Sequence, residues 1–291
     1  MKKTVFLLVI LSCLVFALSS CTTGPKEISL CYNLSKGDIL NYDIEIENTM
    51  TMNIPIKGME TSPSVTMNMK ADYTQRVFDI DKDGNITMEG EITIKEAAMK
   101  QGDKVKPVPL KEKDKKPVKF RMKMNKYGKT LEFNAEEGDN KFLKINDMMN
   151  NISGFAPEHP IKVGQTWKKN QKIEFPVKGI NPMTVDYNMD YIFEKIEKFN
   201  DTNCALITIN GTFDEQLAPK DKKEELKRED FDVTVNGKLN GKIYWGIKRG
   251  IPVKMDTGLA MQSSLSAKDK KGETQTFSMD MDMNIIMTLR K

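Results

Sequence analysis

Histidine is almost absent from this chain. The single one, His159, sits in Pro157-Glu158-His159-Pro160, a proline-flanked stretch that reads as a join between units. Nucleophile-and-base chemistry therefore lacks its usual base. A zinc cluster cannot be built from one histidine and two spare cysteines with 172 residues between Cys31 and Cys204. No glycine-rich phosphate loop and no G-x-S-x-G elbow occurs. Acidic pairs are too plentiful to single out. These absences argue against an enzyme, and no cofactor is expected. Arginine is scarce too: five of the 45 basic residues, against 41 acidic ones, for a net charge of +4. A dedicated nucleic-acid binder needs a strong basic excess or a basic stripe, and this balance provides neither.

The long hydrophobic run that does occur is short and terminal. Lys2 and Lys3 precede an apolar stretch from Thr4 to Leu18, and small residues then lead to a cysteine. This order of zones is a secretory signal, too short and wrongly flanked for a spanning helix. Leu18-Ser19-Ser20-Cys21 resembles the lipobox of bacterial lipoproteins. The resemblance implies cleavage before Cys21, thioether lipidation of its sulfur and acylation of the new amine. Two or more acyl chains hold a protein stably on a bilayer, at ~0.8 kcal/mol per buried methylene. Thr22 follows where an Asp would signal retention. By the same resemblance the expected place is the outer membrane, facing the periplasm. Residues 1–20 are thus read as leader and 21–29 as a lipidated tether. Removing Lys2 and Lys3 with the leader lowers the net charge to +2. Cys31 and Cys204 remain as two thiols that an oxidising compartment could join. Spacing alone does not say whether they bridge.

The rest of the chain is written in a period of two. Val65–Tyr73, Val118–Met124, Val185–Phe193, Phe231–Trp245 and Phe277–Ile285 alternate apolar with polar residues, the mark of strands with one greasy and one wet face. Asp81–Gly84, Asn125–Gly128 and Gly246–Gly250 place glycine between such runs and predict hairpins. Helical spacing occurs over Asn140–Ile152, where a short helix is expected, and the charged stretch Ala218–Asp230 is a second, exposed candidate. The order of elements also repeats. Lys36-Gly37-Asp38 matches Val163-Gly164-Gln165, Val65–Tyr73 matches Val185–Phe193, and Ile86–Ile94 matches Ala205–Phe213. Phe120–Leu131, with its glycine turn, resembles Ile243–Ile251. The expected fold is mostly β: a curved antiparallel sheet, open barrel or sandwich, built from two similar units at 30–155 and 156–291.

Three features carry candidate chemistry. Asp79-Ile80-Asp81-Lys82-Asp83-Gly84-Asn85-Ile86 resembles the first eight positions of an EF-hand calcium loop. Alternate carboxylates before a glycine bend are how a short loop wraps hard oxygens around calcium. The loop's closing acid would fall at Gly90, however, and the flanks alternate like strands. A solvated turn is the competing reading. Methionine numbers 20, with Met-x-Met pairs at Met50/Met52, Met67/Met69, Met122/Met124 and Met279/Met281/Met283. Thioethers are soft ligands for Cu(I), but Met also fills apolar cores and adaptable binding surfaces, and heavy use of Lys, Asn and Ile alongside it points to an AT-rich genome. Seven lysines between Lys104 and Lys119, broken by Pro107, Pro109 and Pro117, read as an extended, solvated insertion, with attraction to anionic lipid as the functional alternative.

Taken whole, the chain resembles bacterial envelope lipoproteins that combine a lipobox, two β halves and a V-G-x-x-W opening, here Val163-Gly164-Gln165-Thr166-Trp167. That resemblance implies a compartment and an anchor but no activity. Two functions are expected from the residues: a carrier whose Met-rich face holds an apolar ligand such as lipid, or a structural or interaction protein of the envelope with a filled core. The membrane, through Cys21, is the expected partner.

Overall fold

Alternating side chains are satisfied only when one face of each strand is buried, and the chain achieves this with one large sheet. The computed structural model describes residues 27–53, 64–112, 114–136, 154–175, 183–217, 231–268 and 274–291. Twelve strands follow in order: β1 (Ile39–Asn53), β2 (Ser64–Ile80), β3 (Ile86–Gln101), β4 (Lys104–Pro107), β5 (Val118–Met124), β6 (Thr130–Ala135), β7 (Thr166–Phe175), β8 (Met183–Phe199), β9 (Thr202–Leu217), β10 (Phe231–Gly246), β11 (Ile251–Lys268) and β12 (Thr274–Leu289). They form a single sheet in the order β6-β5-β3-β2-β1-β12-β11-β10-β9-β8-β7, with β4 attached to β3. Every pairing is antiparallel.

The sheet is one open layer, not a sandwich of two. β6 and β7 are its edges. Two meanders, β1–β6 and β7–β12, meet where β1 pairs with β12 from Tyr42↔Leu289 to Asn53↔Ser278. No helix occurs among the described residues. The helix expected over 140–152 and the charged stretch 218–230 lie outside the described residues, as do the leader and Cys21. Ile28 lies within the stretch expected as a tether, residues 21–29, and exchanges backbone hydrogen bonds with Ile161, at 2.9 and 2.8 Å.

The expected hairpins are present, with Gly84, Gly128 and Gly250 all at positive φ. The predicted insertion at Lys104–Lys119 is not wholly solvated: β4 folds back on β3, with Pro107 opposite Ala98 and the Val108 N–H donating to the Ala97 carbonyl at 2.8 Å. Val118–Met124 is a strand with Val118, Phe120, Met122 and Met124 all inward.

Two hydrophobic cores line the same face. One centres on β8–β10 (Tyr191, Phe193, Ile207, Ile243, Trp245) and takes Leu30, Phe155 and Ile161 from outside the strands. The other centres on β1–β5 (Leu40, Tyr42, Tyr73, Met88, Phe120) and takes in Ile251. The sheet must curl for these cores to meet. Tyr127, in the turn next to the β6 edge, packs against the core built on the far meander, and Tyr32 packs against both. The outer face is charged. Arg290 bridges Asp43 of β1 and Asp72 of β2, and Lys95 reaches Asp72 at 2.9 Å. Burial pulls the Asp72 carboxyl up, but hydrogen bonds from Lys95 and Arg290 outweigh it and hold the group below its ordinary range.

The openings of the two meanders are built alike. Gly37 donates to the Val77 carbonyl and Val77 donates back to Asp38, both at 2.9 Å. Gly164 donates to the Phe193 carbonyl at 2.7 Å and Phe193 donates back to Gln165 at 3.0 Å. Ser35 N–H donates to the Asp38 carboxylate, and Lys162 N–H to the Gln165 side-chain carbonyl. Gly37 and Gly164 have φ of 91° and 85°. A register shift follows at once in each partner strand, between Val77 and Asp79 and between Phe193 and Lys195.

Candidate functional site

The apolar face has two unlike ends. At one end aromatic side chains seal it. Tyr32 and Phe155 meet the Trp245 ring edge-on, at 5.0 and 5.3 Å between centroids. Trp167 stacks on Tyr191 at 5.3 Å and donates its indole N–H to the Phe155 carbonyl at 2.8 Å. Both tryptophans are buried, as core residues should be. Burial pushes the Tyr32 hydroxyl up to about 12.

At the other end the same face is lined by methionine and is only half-covered by the described residues. Register explains how. Met50 of β1 lies opposite Met281 of β12, which lies opposite Met261 of β11. One row outward, Met52 faces Met279. One row inward, Met67, Asn48, Met283 and Leu259 stand side by side across β2, β1, β12 and β11, with Met99 of β3 beyond Met67. Exposure rises steadily along β1, from 1% at Tyr42 and 8% at Ile44 to 41% at Met52. The band is therefore the continuation of the core toward solvent. Phe277 and Leu265, paired on β12 and β11, extend it with rings and branches more than a third exposed.

Asn48 is the polar exception in the inward row. Its carbonyl oxygen is sealed from solvent and has no hydrogen-bond partner, a cost of ~1–3 kcal/mol unless something donates to it. Sequence reading passed over this residue, although a lone Asn in the apolar series Tyr42, Ile44, Ile46, Met50, Met52 was the available signal. Met261 and Met99 were also missed, since neither belongs to a Met-x-Met pair. Of the pairs that were flagged, Met122/Met124 are core, buried beside Met88, and the other three contribute to the band.

The Asp79–Asn85 segment is a hairpin turn between β2 and β3. Asp79 is the last-but-one residue of β2 and pairs with Lys36 at 3.2 Å. The Asp81 carboxylate accepts from the backbone N–H of Asp83 and Asn85 and from the Asn85 side chain, and it pairs with Lys123 at 3.0 Å. Its oxygens thus hold the turn closed. Among the described residues, no group of three or more His, Cys, Asp or Glu side chains is arranged to hold a metal ion. The hydrogen bonds from Asn85, then the Lys123 ammonium, hold the Asp81 carboxyl well below the usual carboxylate range. A depressed carboxyl stabilises the fold above its unfolded pKa, about 3.9, and that contribution is lost as pH falls through the folded value. Acid should therefore weaken the wild type through this hairpin. Asp81→Asn should show a shallower decline of thermal midpoint between pH 5 and pH 2, and equal slopes would refute the assignment.

Cys31 and Cys204 are both free thiols. Cys204 alternates with Ala205 and Ile207, which face the core, so it lies on the outer face, its thiol donating to the Thr202 carbonyl at 3.4 Å. Burial pushes that thiol's pKa up, the opposite of an activated nucleophile. His159 is exposed. On the outer face a cleft of about 720 Å³ lies between β1–β3 and residues 107–115, and its walls carry both signs of charge, Glu45, Glu47 and Glu96 against Lys70, Lys95 and Lys115.

Residues 138–252 match the profile of DUF6263, a family of unknown function. No curated protein matches the chain. Among solved structures, one described as lipid–protein interactions in lipovitellin is similar at a TM-score of 0.45 and 12% identity, over 88% of this chain and 25% of that one. The chain thus spans a quarter of that protein's length.

Proposed function

We propose that this chain is a lipid-anchored lipoprotein of the bacterial envelope that carries an apolar ligand along the methionine band, and that it is not an enzyme. The observation that carries the ligand reading is the band itself. A core that continues into half-exposed, flexible thioether side chains is the lining an adaptable apolar site needs. The sealed aromatic end and the open methionine end give such a site a floor and a mouth. An acyl chain laid along the band would cover surface that the described residues leave wet. Anchorage rests on the lipobox at Leu18–Cys21 and places the carrier at a lipid source. The two meanders read as products of an internal duplication, supported by the matching turns at Gly37 and Gly164 and the register shifts that follow each. The alternative function, an envelope scaffold, would have a partner protein covering the band.

Native mass spectrometry of the purified protein tests the carrier reading. Co-purified lipid is expected, and a fluorescent fatty acid should bind and be displaced by it. Met283→Glu puts a charge in the inward row and should weaken acyl binding at least about tenfold, ~1.4 kcal/mol or more. A clean apo mass together with no fatty-acid binding would leave the scaffold reading. Globomycin should shift the mass of the product, and a product unchanged by it would remove the anchor.

A further inference from the structure

We infer that the outer rows of the band form a soft-metal site that takes Cu(I) through the thioethers of Met50, Met261 and Met281, with Met52 and Met279 as adjacent donors. The case begins with register. Three consecutive strands, β1, β12 and β11, each place a methionine at the same level of one face. Directly opposed side chains on neighbouring strands have Cβ atoms about 4.5–5.5 Å apart. Three unbranched arms with a terminal sulfur can converge from that spacing on one ion. Met52↔Met279 repeats the arrangement one row out.

Burial does not explain these residues. Leu, Ile or Val would cover the same surface, and β-branched residues suit strands better. Methionine loses more rotamer entropy on ordering than Leu or Ile, and it oxidises when solvent reaches it. In the core, Met88, Met122 and Met124 are sealed and act as gap-fillers. In the outer rows Met50, Met261, Met279 and Met281 are half-buried and Met52 is 41% exposed. What sulfur adds there is ligation.

Selectivity follows from what is missing around them. Asp280 and Asp282 alternate with the methionines and so lie on the other face, where Asp280 accepts from Gln262 at 2.9 Å. On β1, β12 and β11 no carboxylate or imidazole shares these rows, and Glu215, in register with the outer one, stands two strands beyond Ser263, so the methionines meet no hard ligand from their own strands. Neutral thioethers favour the monovalent soft ions Cu(I) and Ag(I). Binding changes no oxidation state and displaces only water or chloride, and the ligands need lose no proton.

The test uses the full-length protein in detergent, without air. The wild type should withdraw one equivalent of Cu(I) from bicinchoninate. The Met50→Leu, Met261→Leu, Met281→Leu triple variant should lose at least a hundredfold in affinity. Leucine keeps volume and apolarity, so the band stays packed; the metal claim is read from Cu(I) competition and the carrier claim from Met283→Glu in the fatty-acid titration, and the two claims fail separately. Ag(I) added to methionine-methyl-labelled wild type should shift the resonances of these three methyl groups and leave those of Met88, Met122 and Met124 in place. A wild type that takes no Cu(I), a triple variant that binds as well, or silver shifts spread over all methionines would each overturn the site.

Discussion

Replacing Gly250 with alanine should cost at least ~3 kcal/mol of stability and lower the thermal midpoint by roughly 6–12 °C. Gly250 sits at φ 61°, a left-handed conformation that penalises any side chain by about 1 kcal/mol. The larger part is steric. A Cβ at this position would overlap the Cys31 carbonyl and sit 3.0 Å from the Asn33 nitrogen. Neither atom can swing away, because both belong to backbone. Asn33 N–H is hydrogen-bonded to Arg249 at 3.0 Å, and Gly250 N–H to Gly246 at 2.8 Å. Relief requires the whole 30–34 segment to lift. That movement would draw Leu30 out of one core and Leu34 out of the other, and pull Tyr32 from the Trp245 edge. Gly84→Ala is the matched control. Gly84 has φ 79° and nothing within 4 Å of a new Cβ, so it should pay the conformational cost alone. Urea unfolding of the two variants separates the effects. Equal midpoints would mean that the amino-terminal segment is not clasped to the 246–250 turn.

The strands were legible because their signal is local. Alternation in Val118–Met124 and Phe231–Trp245 needs no knowledge of neighbours, and the structure ends β5 at the residues the pattern gives. The long β2 was harder. Alternation marks Val65–Tyr73 only, and the apolar phase is broken near Val77 by a register shift, although the backbone runs on as one strand to Ile80. Neighbour choice was not legible at all. Nothing in residues 39–53 or 274–289 announces that the first and last strands pair, yet that pairing makes the methionine band. Met261 lies among Gly258, Ala260 and Ser263 and gains its meaning only from Met281 beside it. The acid triplet Asp79, Asp81 and Asp83 shows the reverse case. Its spacing suggests ligands, but ion pairs from residues far off in sequence, Lys36 and Lys123, occupy two of the three carboxylates, and Asp83 and Asn85 close the turn on Asp81.

The second large effect concerns the sealed end, where two tryptophans should respond in opposite order to the same substitution. Trp245 is the more buried, 1% exposed against 9% for Trp167. Truncation to alanine should therefore cost ~3–5 kcal/mol at Trp245, since the indole edge holds Tyr32 and Phe155 together. Phenylalanine reverses the expectation. The Trp245 indole N–H is sealed and has no partner, so removing it returns a desolvation penalty of ~1–3 kcal/mol that offsets the lost ring volume. Trp245→Phe should come out within ~1 kcal/mol of wild type. At Trp167 the N–H donates to the Phe155 carbonyl at 2.8 Å in a buried setting, and phenylalanine would leave that oxygen unpaired. Trp167→Phe should cost ~1–3 kcal/mol although its ring is less buried. Each variant keeps one tryptophan, so fluorescence during urea unfolding reports the midpoint in both. A larger loss for Trp245→Phe than for Trp167→Phe would show that ring volume, not the Phe155 hydrogen bond, fixes the 154–161 segment against the sheet.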